Sequence, residues 1–343
     1  MPGTQYDVAR LAGVSRKTVS NVIHDHRYVT PEVRARVREA IAELDYQPNR
    51  TAQNLRTGRS NAIGLAVPEL NNPYFGELAR YVVESARLHG NTVLIDQTLG
   101  DRERERAVLE GFNGGPIDGL IYSPITADID DIASRRRHLP IVILGEHISS
   151  PKFDHIVIDN VAASRVATEH LLELRRRHIG FVGAGRGQTA DLRLSGYQQA
   201  LQHAGIAFDQ DLVEIVGGYD RYDGAVAMGH MLHRSSNLDA VVCANDLLAH
   251  GALRTLRESG CGVPEDVAVV GIDDIDESSY GNPTLTTIAP DKEQLAEAAV
   301  SRLLQLVESG IEKHQREPQM LIGFTLKIRE STIGPAGFLP LHA

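Results

Sequence analysis

The stretch Thr4-Gln-Tyr-Asp-Val-Ala-Arg-Leu-Ala-Gly13, followed by Val14-Ser15 and Arg16-Lys-Thr-Val-Ser-Asn-Val-Ile23, reads as two short amphipathic helices with almost nothing between them. Thr4 offers an N-cap oxygen, Tyr6, Val8, Ala9, Leu11 and Ala12 offer apolar contacts, and the first helix ends at Gly13. Ser15 caps the second helix, whose Val19, Val22 and Ile23 turn inward and leave Arg16, Lys17, Ser20 and Asn21 outward. Two helices joined by so tight a turn predict a helix-turn-helix, with the second as the reader of a DNA major groove.

Working outward, Thr30-Pro31-Glu32 opens a third helix, cap then proline then acid, which carries Val33, Val37, Ala40, Ile41 and Leu44 at helical spacing. Three helices around one apolar centre make a minimal domain over residues 1–46. Arg16 and Lys17 stand where a recognition helix reaches base edges, and their donors suit guanine O6 and N7; a solvated charged face is the other reading of the pair. Next comes Tyr46-Gln-Pro-Asn49-Arg50-Thr-Ala52-Gln53-Asn-Leu55-Arg56, then the breakers Thr57-Gly58-Arg59-Ser60. From Asn49 the chain has room for about two helical turns, too short to be stable alone in water, so residues 47–59 are expected to order as a hinge helix and linker only with a partner.

Charge divides the 343-residue chain at the same place. Residues 1–60 hold 10 Lys and Arg against 6 Asp and Glu, net +4, and the remainder holds 25 against 39, net −14, giving the overall −10. A basic head attracts polyanions while an acidic body repels them, which orients the molecule on nucleic acid.

From Asn61 strand-like apolar runs alternate with helix-like segments, the pattern of parallel sheets covered on both faces. Residues 63–67, 92–95, 119–122 and 141–144 form one set; residues 155–158, 179–182, 212–216, 240–243 and 267–270 form a second. So many strands suit two sheets, with a handover near Asp159-Asn160, a return after Leu285-Thr-Thr-Ile288 through a helix from Asp291 to Ser309, and one closing strand around 321–328. The expected division is a core over 60–333, with a first lobe at about 60–158 and 289–320, a second at about 159–288 and 321–333, and a tail at 334–343.

The blocks Tyr6-Asp-Val-Ala9, Ala12-Gly-Val-Ser15, Thr18-Val-Ser20, Tyr46-Gln-Pro-Asn49 and Ala52-Gln53 occur in order and at distances that resemble the lac repressor/gal repressor (LacI/GalR) family of bacterial transcription regulators. The resemblance implies an N-terminal all-α helix-turn-helix head and hinge helix before an α/β two-lobed periplasmic-binding-protein-like core. It also implies DNA contacts from Thr4, Ser15, Arg16, Lys17, Thr18, Ser20, Asn21, Asn49, Arg50, Ala52, Gln53 and Leu55. Hinge helices of two subunits would pair in the minor groove, where Leu55 would wedge a base step; its alternative is an apolar contact with the body. Asn21 stands where many members carry Arg, a departure at a base contact.

Ligands of such sheets sit at the carboxyl ends of strands, between the lobes. Asn71-Asn72-Pro-Tyr74-Phe75 follows the first strand and matches a family segment whose aromatic residue stacks on the effector. Asp191-Leu-Arg193-Leu-Ser-Gly-Tyr197 resembles the family's ligand-clamping arginine motif. Glu146, Tyr219, Asn245 and Asp273 also follow strands. An aromatic ring over an apolar sugar face, with guanidinium, carboxylate and amide on its hydroxyl edges, points to a sugar or sugar derivative. Other readings stand beside these: a helix cap for Asn245, a turn for Asp273, a surface pair with Asp191 for Arg193, plain core for Phe75, and a solvent-facing position for Glu146 or Tyr219.

Other classes find less support. Gly183-Ala-Gly-Arg-Gly187 lacks both the GxGxxG and the Walker pattern, so a cleft loop is expected rather than a phosphate cradle. Arg135-Arg-Arg137 and Arg175-Arg-Arg177 fit solvated helix ends, and Asp128-Ile-Asp-Asp131 fits a helix N-terminus rather than a metal site. Cys243 and Cys261 form no CxxC or Cys/His cluster and are expected as buried thiols. No catalytic constellation, metal or cofactor is expected. No apolar leader or run long enough to cross a bilayer is evident, which opposes an exported solute-binding protein and suits a cytoplasmic one. The tail has no heptads, so a homodimer on double-stranded operator DNA is the expected assembly.

Overall fold

The computed structural model describes residues 3–335 apart from 24, 27, 47–58, 113–114, 135–138, 147–149, 151, 186 and 310–318. The expected hinge, with Asn49, Arg50, Ala52, Gln53 and Leu55, lies outside the described residues, as do Arg135-Arg-Arg137 and residues 336–343. Two compact units divide between Ser60 and Asn61.

The first unit holds helices α1 (Gln5–Leu11), α2 (Arg16–Ile23) and α3 (Pro31–Glu43). Val8, Ala9, Ala12, Val19, Val22, Val37 and Ala40 form its buried centre. Tyr6 and Leu11 do not join them, remaining 62% and 47% exposed. At 100° per residue they lie roughly 110° to either side of the buried face of α1 defined by Val8, Ala9 and Ala12, too far round to reach the centre.

The second unit contains two six-stranded sheets. One has the order β11-β5-β4-β3-β1-β2, and every neighbouring pair is parallel. Its strands are β1 (Ala62–Val67), β2 (Thr92–Gln97), β3 (Gly119–Tyr122), β4 (Ile141–Leu144), β5 (Asp154–Ile158) and β11 (Gln319–Ile322). The other has the order β12-β10-β9-β8-β6-β7, with only β12 antiparallel to its neighbour. Its strands are β6 (Ile179–Ala184), β7 (Val213–Ile215), β8 (Ala240–Cys243), β9 (Ala268–Ile272), β10 (Thr286–Pro290) and β12 (Phe324–Lys327).

Strands covered on both faces carry continuous apolar runs, as in Ile63–Val67, and the helices that follow them start on short polar caps. Helix α4 (Pro73–Leu88) starts on Asn72, α5 (Arg102–Glu110) on Asp101, α6 (Ile129–Ala133) on Asp128, α7 (Asn160–Glu173) on Asp159, α9 (Arg221–Arg234) on Asp220 and α10 (Asp246–Glu258) on Asn245. Helix α8 (Gly187–His203) lies between β6 and β7. Helices α9 and α10 nearly touch: a Cβ on Gly224 would stand 2.1 Å from the Leu248 carbonyl oxygen, and one on Gly251 would stand 2.0 Å from that of Arg221.

Among the described residues the chain passes between sheets three times: after β5, after β10 through α12 (Lys292–Ser309), and at Gly323 between β11 and β12. Two expectations need correction. The strand at 154–158, grouped by sequence with the second set, belongs to the first sheet, where it pairs with β4 and β11. Buried apolar runs look alike in either sheet; pairing alone separates them. The single closing strand expected over 321–328 is two strands broken at Gly323, one in each sheet, so the third passage between sheets falls there.

Candidate functional site

A cavity of about 210 Å³ opens where the carboxyl ends of both sheets face each other. First-lobe walls come from the ends of β1, β3 and β4 and from the start of α4; second-lobe walls come from the starts of α7, α8 and α10 and the end of β9. All eight residues expected in the cleft border it: Asn72, Tyr74, Phe75, Glu146, Arg193, Tyr219, Asn245 and Asp273.

Arg193 is the hub. It is buried on α8, donates through Nε to Asn160 Oδ1 at 2.7 Å and through Nη1 to the carbonyl oxygen of Ala244, and lies 3.8 Å from the Asp273 carboxylate. These partners, rather than neighbouring Asp191, hold its plane, and a charge so deep is stable only when paired and hydrogen-bonded. Glu146 accepts from Asn160 Nδ2 at 2.6 Å and from Thr189 Oγ1 at 3.2 Å. Burial pushes the Glu146 carboxyl up, against the lowering influence of Arg193 and its hydrogen bonds. Asp273 is pushed up to about 7, first by burial and with Asp246 nearby, while Arg193 and Lys292 pull it down. One guanidinium therefore stands between two carboxyl groups, linked to Glu146 through the neutral amide of Asn160 and opposed directly by Asp273, beside an apolar pocket.

The aromatic residues frame that chain. Asn72 caps α4 by accepting from the Tyr74 N–H at 3.1 Å, and Pro73 takes the first helical position, so Tyr74 and Phe75 follow at a fixed angle. Their rings meet edge to face at 5.2 Å, and Phe75 packs on the first-lobe core while bordering the cavity. Tyr219 donates its hydroxyl to the Gly183 carbonyl at 2.9 Å. Asn245 is the helix cap that was its other reading, and it also borders the cavity: Oδ1 caps α10 at the Leu248 N–H, and Nδ2 reaches the Tyr219 carbonyl.

Sequence reading missed Asn160 and Thr189. It also missed Glu105, fully buried on α5, whose carboxylate accepts from the N–H groups of Ile125, Thr126 and Ala127 at 2.9, 3.1 and 2.5 Å and from Thr126 Oγ1 at 3.0 Å. That grip shapes the turn whose Ser123, Pro124 and Ile125 form cavity wall. The Gly183–Gly187 loop contributes Gly187, and Gln188 and Thr189 follow it at the wall. Asp128 and Asp131 form a capping box and pair with Arg102, while Arg176 reaches across to the carbonyls of residues 264–266 instead of remaining a solvated helix end. Cys243 is buried, but Cys261 is only partly so. Among the described residues no group of three His, Cys, Asp or Glu is placed to hold a metal, and no helix is long and apolar enough to cross a membrane.

In the head, Thr4 accepts from the Asp7 N–H at 3.3 Å and Ser15 Oγ from the Thr18 N–H at 3.1 Å, so both cap their helices. Arg16 and Lys17 are exposed at the start of α2; Thr18, Ser20 and Asn21 are partly exposed along it. Gln5 Nε2 donates to the Arg16 carbonyl at 3.3 Å, tying the two helices across the turn.

Residues 4–49 match the family described as bacterial regulatory proteins, lacI family, and residues 168–332 match a periplasmic binding protein-like domain. The ribose operon repressor of Haemophilus influenzae is 32% identical over 333 residues, covering 96% of this chain and 98% of that protein. The lac repressor dimer bound to operator and the anti-inducer ONPF superposes with a TM-score of 0.83 at 30% identity, covering 97% of this chain and 99% of that one. The CelR–cellobiose complex gives 0.70 at 30% identity over 96% and 99% of the two chains. Likeness that runs through head and core together leaves one conclusion: the chain belongs to the LacI family of bacterial regulatory proteins, transcription regulators rather than enzymes, which join a DNA-binding head to an effector-binding core.

Proposed function

We propose that this protein is a cytoplasmic homodimeric repressor whose hold on a pseudopalindromic operator is set by a sugar or sugar derivative in the cavity between the lobes. The observation that carries the reading is Arg193, clasped on one edge by Asn160 and Ala244 and opposed by Asp273, in a pocket bordered by Tyr74, Phe75 and Tyr219. Hydroxyl groups of a pyranose or furanose bridge a guanidinium and carboxylates, while an apolar ring face suits the aromatic side chains. Glu146, Asn72 and Asn245 complete the polar edge, with Asn160 and Thr189 beside them. The names of two relatives, a ribose operon repressor and a cellobiose complex, support the same class of ligand.

DNA reading falls to α2, with Arg16 and Lys17 toward base edges, Thr4, Ser15, Thr18, Ser20 and Asn21 around them, and Asn49, Arg50, Ala52, Gln53 and Leu55 at the hinge. Dimerisation uses the apolar side chains left open on the first lobe, among them Leu88, 87% exposed at the end of α4, and Ile95 on edge strand β2. A second copy with twofold symmetry covers such a patch and sets two heads one helical turn apart on DNA.

The experiment is a thermal-shift panel including D-ribose, cellobiose and sugar phosphates, followed by fluorescence anisotropy on a candidate operator with and without the stabilising compound. A ligand that binds the folded core raises the melting temperature, and one that prefers a single lobe angle changes operator affinity. By linkage, operator DNA must change that ligand's affinity by the same factor. Operator binding that ignores every stabilising sugar at saturation would refute the proposal.

A further inference from the structure

Glu77 and Lys292 do not border the cavity. Both belong to the first lobe, Glu77 on α4 and Lys292 at the first position of α12, which packs on the first sheet. Their grip is on the second lobe. Lys292 is only 8% exposed, and its ammonium donates to the backbone carbonyls of Asp273 and Asp274, each at 2.9 Å, and pairs with Glu77 Oε2 at 2.5 Å. Three donors meet three acceptors, so the buried charge is fully satisfied. The other oxygen of Glu77 accepts from the Asp276 N–H at 3.3 Å. That N–H opens the short helix α11 (Asp276–Tyr280), whose own N-cap residue, Ile275, makes no side-chain cap. The cap for this helix arrives from the opposite lobe.

The turn held in this way is strained. Asp273 has φ 127° and Asp274 φ 48°, both in the region that favours glycine. Such a turn persists when its surroundings over-determine it, and this one carries the Asp273 carboxylate toward Arg193 and the Asp274 carboxylate to Arg329 at 2.7 Å. Tyr74, three residues before Glu77 on α4, lies with its ring centre 5.8 Å from the Lys292 ammonium. One ion pair thus touches the backbone of an acidic cavity residue from the second lobe and the ring of an aromatic one from the first.

We propose that Glu77 and Lys292 form a clip between the lobes that aims Asp273 into the cavity, making them positioning residues for effector recognition. Opening the lobes breaks three hydrogen bonds to the 273–276 turn and frees its backbone to relax; closing them on a ligand restores the strained conformation that presents Asp273. Recognition and lobe angle are joined through this turn rather than through the ligand alone. The binding consequence rests on the effector reading given above, but the clip itself does not.

Amide hydrogen exchange on the ligand-free full chain tests the clip directly. In Glu77→Ala and in Lys292→Met, amides of residues 274–280 should exchange at least tenfold faster while the Ala163–Leu171 segment of α7 keeps its protection; Lys292→Arg, which keeps the charge and donors, should recover most of the effect. Glu84→Ala, which removes a surface pair with Arg80 on the same helix, should change neither segment. Titration with D-ribose as the probe should show at least tenfold weaker binding in the first two variants. Unchanged exchange at 274–280 in Glu77→Ala overturns the clip, and so does acceleration spread evenly over the chain. If Lys292→Met does not fold, Glu77→Ala decides, its side chain being partly exposed. If the unmodified protein does not bind D-ribose, only that effector assignment suffers and exchange decides the clip.

Discussion

At Asp273 burial and recognition pull in opposite directions. Burial holds its carboxyl up at about 7, and Asp246, itself pushed up to about 6 by burial, adds to the effect, while Arg193 and Lys292 favour the charged form. A carboxyl whose folded value is raised binds more protons in the folded chain than in the unfolded one, so its contribution to stability is greatest in acid and declines as pH rises from about 4 to about 7. Buried His155 and His170 and half-buried His250, held below their usual value by desolvation, act in the opposite sense, which makes a difference measurement necessary. The melting temperature of the unmodified protein minus that of Asp273→Asn should therefore fall between pH 4 and pH 7 and then level. A ligand hydroxyl that donates to the carboxylate favours the ionised form, so sugar binding should strengthen as pH rises through about 7 in the unmodified protein alone. Parallel melting curves for the two proteins would refute the assignment. Tyr74 and Arg193 could be placed at the cavity from the sequence because each lies in a segment that resembles one of the family's, and Asp273 because it follows a strand. Asn160 and Thr189 were not, since their value lies in partners 14 to 43 residues away that only the folded chain brings near.

Among the elements, α5 shows how a wall of the cavity is fixed from behind. Glu105 gathers three consecutive backbone N–H groups, and nothing in the run Arg102–Glu110 distinguishes that glutamate from its charged neighbours until the helix is seated. Glu105→Gln replaces an acceptor with an NH₂ group facing donors whose hydrogen bonds go to Glu105; leaving such groups unsatisfied costs about 1–3 kcal/mol each. The expected outcome is a lower melting temperature together with weaker binding of whichever sugar the thermal panel selects. Calorimetric titration showing full affinity in the variant would separate the loop from recognition. Strand pairing shows the same limit of legibility: the alternation of strands and helices gave two sheets, but β5 and the break at Gly323 were decided by hydrogen-bond partners that an apolar run does not specify.

For the molecule as a whole the uneven charge sets the terms of DNA binding. A head of net +4 ahead of a remainder of net −14 confines attraction to one end of the chain, and counterion release makes that attraction fall with salt. If the two heads of a dimer neutralise six or more phosphates, affinity should drop about 1,000-fold or more between about 50 and 200 mM salt. Anisotropy titrations on a fixed operator across that range measure the slope; a flat response would contradict electrostatic docking by the heads. The hinge expected between head and core was read from its length, too short for a helix stable alone, and from the family resemblance; residues 47–58 lie outside the described residues.

The three passages between sheets carry a consequence for synthesis. The first sheet takes its outer strand, Gln319–Ile322, and its covering helix, Lys292–Ser309, from the far end of the chain. As the polypeptide leaves the ribosome, each lobe emerges with five of its six strands in one uninterrupted run and then waits for a late one, Gln319–Ile322 for the first lobe and Phe324–Lys327 for the second. A premature stop codon near position 318 would therefore wound both lobes at once, the one made first included.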